Sequence, residues 1–217
     1  MNAIDLLIFD LDGTLIDSKL DLAHAVNAAR AHAGMEPLEN ETVYSYVGEG
    51  APTLIRRALG PGASDELVQG ALAYFLAYYN EHLIDYTVLY PGVRETLGRL
   101  TSAGVRMAVL TNKPVRMSKA IVEALGVGPH FERVYGGNSF EQKKPHPIGI
   151  ETLMSEYSAT RDRTMMVGDS SVDIRTARNA EVRACGVTYG FQPETLVEQP
   201  PDLLVDRIAQ LGDWVLS

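Results

Sequence analysis

Four short apolar runs, separated by stretches of helical period, organise the chain. Ile4 to Phe9 is nearly continuously apolar and is ended by Asp10 and Gly13, the pattern of a strand buried on both faces of a parallel sheet. Similar runs recur at Val105 to Leu110 and Thr164 to Val167, with a weaker one at Val182 to Val187. Helical patterns lie between them. Pro91 to Leu100 carries Pro at an expected first helical position, and Pro114 to Leu125 stops at Gly126. Alternating strand and helix predict right-handed crossovers and an α/β fold with a doubly wound parallel sheet, Rossmann-like in class.

From about Lys19 to Thr87 the alternation breaks, with helical patterns and no convincing strand. The stretch reads as a helical insertion of residues 19–87 after the first strand, leaving residues 1–18 and 88–217 as the α/β core. Leu22, Val26, Ala29 and Ala33 follow helical spacing and are expected to face a core, as are Leu67, Ala71, Tyr74 and Tyr78. Between these stripes, Tyr46 to Pro52 forms a Gly-rich turn expected to face a catalytic cleft.

Composition narrows the class of partner. The 217 residues are 46% hydrophobic and 22% charged, ordinary for a globular enzyme, and the formal net charge is −9. Such a surface repels a polyanion, so nucleic acid is not an expected partner, although a local cation or metal can still hold a small anion. Cys185 is the only cysteine and sits in an apolar-leaning run, which predicts a buried structural thiol and no internal disulfide. No basic region precedes the first apolar run, and no stretch approaches the roughly 18 apolar residues that span a bilayer. A cytoplasmic chain without a membrane partner is expected, as monomer or homodimer.

In an open parallel sheet, ligands bind beyond the carboxyl ends of the strands, so the polar residues after each apolar run carry the candidate chemistry. Asp10-Leu-Asp-Gly-Thr14 follows the first run, Thr111-Asn-Lys-Pro114 the second and Gly168-Asp-Ser-Ser-Val-Asp173 the third, while Lys143-Lys-Pro-His-Pro147 opens a helix. Asp10 is placed to act as a nucleophile. Asp12, further round a turn that Gly13 permits, reaches a leaving-group oxygen as acid and later activates water; taken alone, the same four residues equally describe a solvated turn. Asp169 adds a third carboxylate, and three carboxylates in one cleft call for a hard divalent cation, best Mg²⁺. Asp173, one helical turn further, either orients metal-bound water or complements its helix dipole. Thr111 and Asn112 supply hydrogen-bond donors, and Lys144, restricted by Pro145, supplies the compact cation.

Taken together these motifs resemble the haloacid dehalogenase superfamily, in the order expected along the whole chain. The resemblance implies an aspartyl-phosphate mechanism with Asp10 as nucleophile and Asp12 as acid/base. It implies phosphate binding by Thr111 and Lys144, and Mg²⁺ on the Asp10 carboxylate, the Asp12 backbone carbonyl and Asp169. The insertion resembles the family's helical cap, which closes over the cleft. Within the superfamily the chain is most similar to bacterial phosphoglycolate phosphatases, through Val47-Gly-Glu-Gly50, Thr111 to Pro114, Lys143 to Pro147, Gly168 to Ile174 and Val187 to Phe191. That implies a small phosphate ester as substrate, 2-phosphoglycolate hydrolysed to glycolate. Relatives acting on pyrophosphate, nucleoside monophosphates or sugar phosphates, and a β-phosphoglucomutase-like mutase, are the alternatives. Arg56 is the candidate partner for the substrate carboxylate, with the N–H groups of Gly48 and Gly50 as the alternative. Ala180-Glu181 departs from the Ala-Gly that relatives usually place at a helix end.

Overall fold

The computed structural model describes residues 4–217. The chain runs β1 (Leu6–Phe9), α1 (Lys19–His32), α2 (Asn40–Tyr44), α3 (Ala51–Leu59), α4 (Asp65–Glu81), α5 (Val93–Ser102), β2 (Arg106–Leu110) and α6 (Val115–Ala124). It continues through β3 (Arg133–Tyr135), α7 (Ile148–Tyr157), β4 (Thr164–Gly168), α8 (Ser171–Asn179), β5 (Arg183–Val187), β6 (Leu203–Val205) and α9 (Ile208–Val215). Two compact units result, Ser18–Val88 and the rest of the chain, each one residue removed from the boundaries expected of the pattern.

In the larger unit six strands pair in the order β3-β2-β1-β4-β5-β6, and every pairing is parallel. The order reverses at β1, which is hydrogen-bonded to both β2 and β4. This is the doubly wound sheet the alternating pattern predicts, and its crevice lies where the winding changes direction. All four β1 residues are buried. Leu6 and Ile8 pack with Ile150, Leu153 and Ile174 of α7 and α8, whereas Phe9 meets Phe131 edge-on at 6.3 Å between ring centres. Side chains alternate across a strand, so a sheet covered on both faces needs the continuous apolar run that β1 has.

The edge strands β3 and β6 have no counterpart in the apolar runs. Each is three residues long and partly exposed, so neither carries a continuous apolar signal. Pro91 is not at a first helical position: Gly92, left-handed at φ 81°, precedes α5, which starts at Val93. Cys185 is buried in β5, and burial pushes its thiol up to about 12. Among the described residues no helix is long and apolar enough to cross a membrane.

The smaller unit is four helices. In α1, Leu22, Val26 and Ala29 are buried as their spacing predicts. In α4 the expected stripe is displaced: Val68, Ala71, Phe75 and Tyr79 are buried, whereas Leu67 and Tyr74 are 39% and 37% exposed. Tyr74 and Tyr78 instead stack on His32 and His82, each pair at 4.3 Å. Apolar residues surround most of α4, so two overlapping stripes fit its period, and packing on α1 and α3 selects one. Two buried ions tie the unit together. Asp21 accepts from the N–H of Tyr86 and from the N–H and hydroxyl of Thr87, while Arg30 donates to the carbonyls of Glu36 and Ala58.

The Ala180-Glu181 departure has a backbone consequence. Ala180 ends α8, and Glu181 follows it in the left-handed region at φ 57°, where a Cβ is strained and Gly is favoured. Glu181→Gly is expected to stabilise the protein by about 1 kcal/mol, raising Tm by roughly 2–4 °C with activity unchanged. A Tm at or below that of the parent in differential scanning calorimetry contradicts the assigned strain.

Candidate active site

Asp10 extends β1 by one residue, its N–H donating to the Val167 carbonyl at 2.9 Å, which sets it beside the tip of β4. Asp169 leaves β4 directly after Gly168. The two acids therefore meet at the change of winding. With Asp173, from the first turn of α8, they bring one carboxylate oxygen each to within 4.8 Å of one another.

Lys144 stands among these acids. Its Nζ lies 2.9 Å from Asp10 Oδ1 and 2.6 Å from Asp173 Oδ1, and its side chain is 1% exposed. Asp10 also accepts from the Leu11 N–H at 2.7 Å and from the Thr111 hydroxyl. The Asn112 amide donates to the Lys144 carbonyl at 3.1 Å, so this residue, expected to contact phosphate, fixes the backbone that carries the cation. Asp173 stands in the first turn of α8, as the helix-start reading expected, and it also holds a lysine to which no sequence argument had tied it. One oxygen holds Lys144, and the other accepts from the Ser170 N–H and hydroxyl at 3.2 and 2.8 Å, capping α8.

Burial, followed by the charge of Asp173, pushes Asp10 up to about 6, against Lys144 and Thr111, which favour its anion. Burial and the neighbouring charges of Asp173 and Asp10 push Asp169 up to about 8, although its Oδ2 accepts from the N–H of Phe191 at 2.6 Å and of Gln192 at 3.3 Å. With all three acids ionised, one ammonium would leave two negative charges uncompensated in a buried site whose donors to a cation are all oxygens. A hard divalent cation fits that deficit and that donor set.

Missing side chains let two neighbouring turns close on Asp169. A Cβ on Gly13, itself at φ 79°, would lie 2.3 Å from Asp169 Oδ2, and one on Gly190 would lie 2.2 Å from Asp169 Cβ. Only glycine lets these turns approach the acid so closely.

Asp12 is engaged by a residue the motifs contained but to which they assigned no task. Lys113 Nζ donates to its Oδ1 at 2.8 Å and its Oδ2 at 3.1 Å. Gly50 and Arg56 belong to the helical unit. Gly50 precedes α3 at φ 86°, and Arg56 makes an exposed ion pair with Asp65 at 2.6 Å.

The parallel sheet reverses at β1, with Asp10 and Asp169 at its two central tips and a buried lysine between acids. Residues 7–187 match the family model of haloacid dehalogenase-like hydrolases, and the chain belongs to that family. Within it, the chain is 40% identical to a phosphoglycolate phosphatase of Vibrio vulnificus, covering 98% of this chain and 96% of that one. It is also 40% identical to a phosphoglycolate phosphatase of Pseudomonas putida, covering 95% of this chain and 78% of that one. The fold superposes on the crystal structure of a predicted phosphoglycolate phosphatase from Haemophilus somnus with a TM-score of 0.93, 31% identity and 99% coverage of both chains.

Proposed function

We propose that the chain is a Mg²⁺-dependent phosphatase of small phosphate monoesters, working through an aspartyl-phosphate on Asp10, with 2-phosphoglycolate as its substrate. The observation that carries this reading is the Asp10 carboxylate, held in place at the tip of β1 by the Leu11 N–H, Thr111 and Lys144, beside Asp169. A carboxylate oriented by three donors is a preorganised nucleophile, and Lys144 and Thr111 are positioned to meet charge on an incoming phosphoryl group. The names borne by the 40%-identical relatives support the substrate.

In the first half-reaction Asp10 forms a bond to phosphorus as the bond to the leaving oxygen breaks, and Asp12 gives that oxygen a proton. In the second, Asp12 takes a proton from water as the water oxygen displaces Asp10. The Asp10 and Asp169 carboxylates and the Asp12 backbone carbonyl would hold Mg²⁺, which when bound offsets the acids' surplus charge and polarises the phosphoryl oxygens. Asp173, with both oxygens committed, anchors Lys144. The test is kcat/KM across 2-phosphoglycolate, pyrophosphate, nucleoside monophosphates and hexose phosphates. 2-Phosphoglycolate is expected to lead by at least about tenfold, and a flat profile would refute the substrate.

Metal dependence has a thermal signature with a definite sign. Asp10 and Asp169 hold protons in the metal-free fold at pH values where the unfolded chain has released them. The stability this lends is full below the unfolded value near 3.8 and is lost as pH rises through about 6 and about 8. Mg²⁺ replaces those protons, so the rise in Tm on moving from EDTA to Mg²⁺ is expected to grow between about pH 5 and about pH 9. A Mg²⁺-induced shift that stays flat over that interval contradicts the assignment.

A further inference from the structure

We infer that Lys113 is the positioning residue for Asp12, fixing its carboxylate for both proton transfers; the inference rests on the phosphatase reading above. The two residues are 101 positions apart in sequence, yet the ammonium engages both carboxylate oxygens. Their side chains are 3% and 13% exposed, so the pair is poorly screened by solvent and holds one geometry more firmly than a surface bridge. Lys144 binds Asp10 and Asp173, so the two cations divide the acids between them, one on the nucleophile and one on the proton carrier.

The support beneath Lys113 is rigid. Its N–H donates to Thr111 Oγ1 at 3.3 Å, and its carbonyl accepts from Gly137 N–H at 2.9 Å. Gly136 and Gly137 press on this loop so closely that a Cβ on Gly136 would lie 2.5 Å from the Lys113 carbonyl, and one on Gly137 2.4 Å from that of Asn112. A long flexible lysine thus starts from a clamped backbone and ends on a carboxylate carried by the turn after β1. That turn is itself closed by the Gly13 N–H donating to Ile16 O at 3.0 Å. A side chain that has to give a proton to one oxygen and later take one from another gains from being held at a fixed place.

The prediction separates the half-reactions. p-Nitrophenolate leaves without a proton, whereas glycolate needs one. Lys113→Met is expected to lower kcat for 2-phosphoglycolate about 10²-fold. With p-nitrophenyl phosphate the variant is expected to release a burst of about one equivalent of nitrophenol per site, followed by slow turnover, because only the water-activating step is then impaired. A Mg²⁺-induced Tm shift is expected to persist in the variant, since the Asp10 and Asp169 carboxylates proposed to hold the metal are kept. In an Asp12→Ala background the Lys113 substitution is expected to change kcat by less than about threefold, the non-additivity of residues acting as a unit. Lys113→Gln, which keeps a donor, is expected to lose about tenfold and provides the reading if Lys113→Met does not fold. Parent-level kcat in both Lys113 variants, or equal losses with and without Asp12, overturns the inference. An inert parent enzyme, or an active Asp10→Asn variant, instead overturns the phosphatase reading itself.

Discussion

Asp10→Asn is expected to abolish turnover, by on the order of 10⁴-fold or more, while leaving the protein at least as stable as its parent without metal. Asparagine keeps the shape of the side chain and an oxygen able to accept from Leu11 N–H and Lys144. It removes the negative charge that makes the group a nucleophile. It also removes a carboxylate whose burial is unfavourable, shown by its upward displacement to about 6, and relieves Asp169, on which the Asp10 charge acts. Activity and stability should therefore move in opposite directions. Phosphate release and thermal unfolding, measured on the same preparation in EDTA and in Mg²⁺, check both. Full activity in this variant would remove Asp10 from the chemistry, and loss of activity through unfolding would make the site a folding element first.

Lys144→Met should do the reverse, costing both activity and stability. The ammonium is buried between Asp10 and Asp173, and burial disfavours its charge while the two acids restore it, with a net upward displacement. Removing one partner from a buried ion cluster costs about 3–5 kcal/mol because the remaining charges are left without compensation. For a chain of this length that corresponds to a fall in Tm on the order of 10 °C. The deficit is expected to shrink on acidification. Without Lys144, whose charge holds it down, the folded-state value of Asp10 rises further, so the stability its protonated form lends is present at low pH and lost as pH rises. kcat should fall about 10³-fold, the scale of losing one group that meets developing charge. Lys144→Arg is not expected to rescue, since a planar guanidinium does not fit a slot 1% exposed that was shaped for an ammonium. A Tm unchanged at neutral pH would show that the acids do not depend on this cation.

The two substitutions bear on how the site is organised. Three clusters of polar residues at strand ends were visible as candidates because the sheet's own pattern marks where strands stop. β1 must be apolar on both faces to lie at the centre of a doubly wound sheet, and Asp10 is the first residue that cannot continue it. The same logic picks out Asp169 after β4 and Thr111 after β2. What lay beyond such reasoning is pairing. Lys113 lies in the cluster after β2, but no sequence argument assigned it a task there, and only the juxtaposition of β1 and β2 brings it to Asp12. Asn112 was expected to donate to phosphate, and in the structure its amide donates to the Lys144 carbonyl.

The chain's own order of residues was thus enough to determine the parallel α/β class, the place of the helical insertion and the identity of the acids at the strand tips. These follow from local rules, because burial on two faces, helical period and chain-breaking residues each act within a few positions. The tertiary structure alone decided which stripe of α4 turns inward, where the short edge strands β3 and β6 attach, and which cation serves which acid. Those outcomes depend on contacts between segments tens to a hundred residues apart, and the energy of such a contact belongs to the pair and to its burial. Neither residue expresses it until the other has been brought alongside.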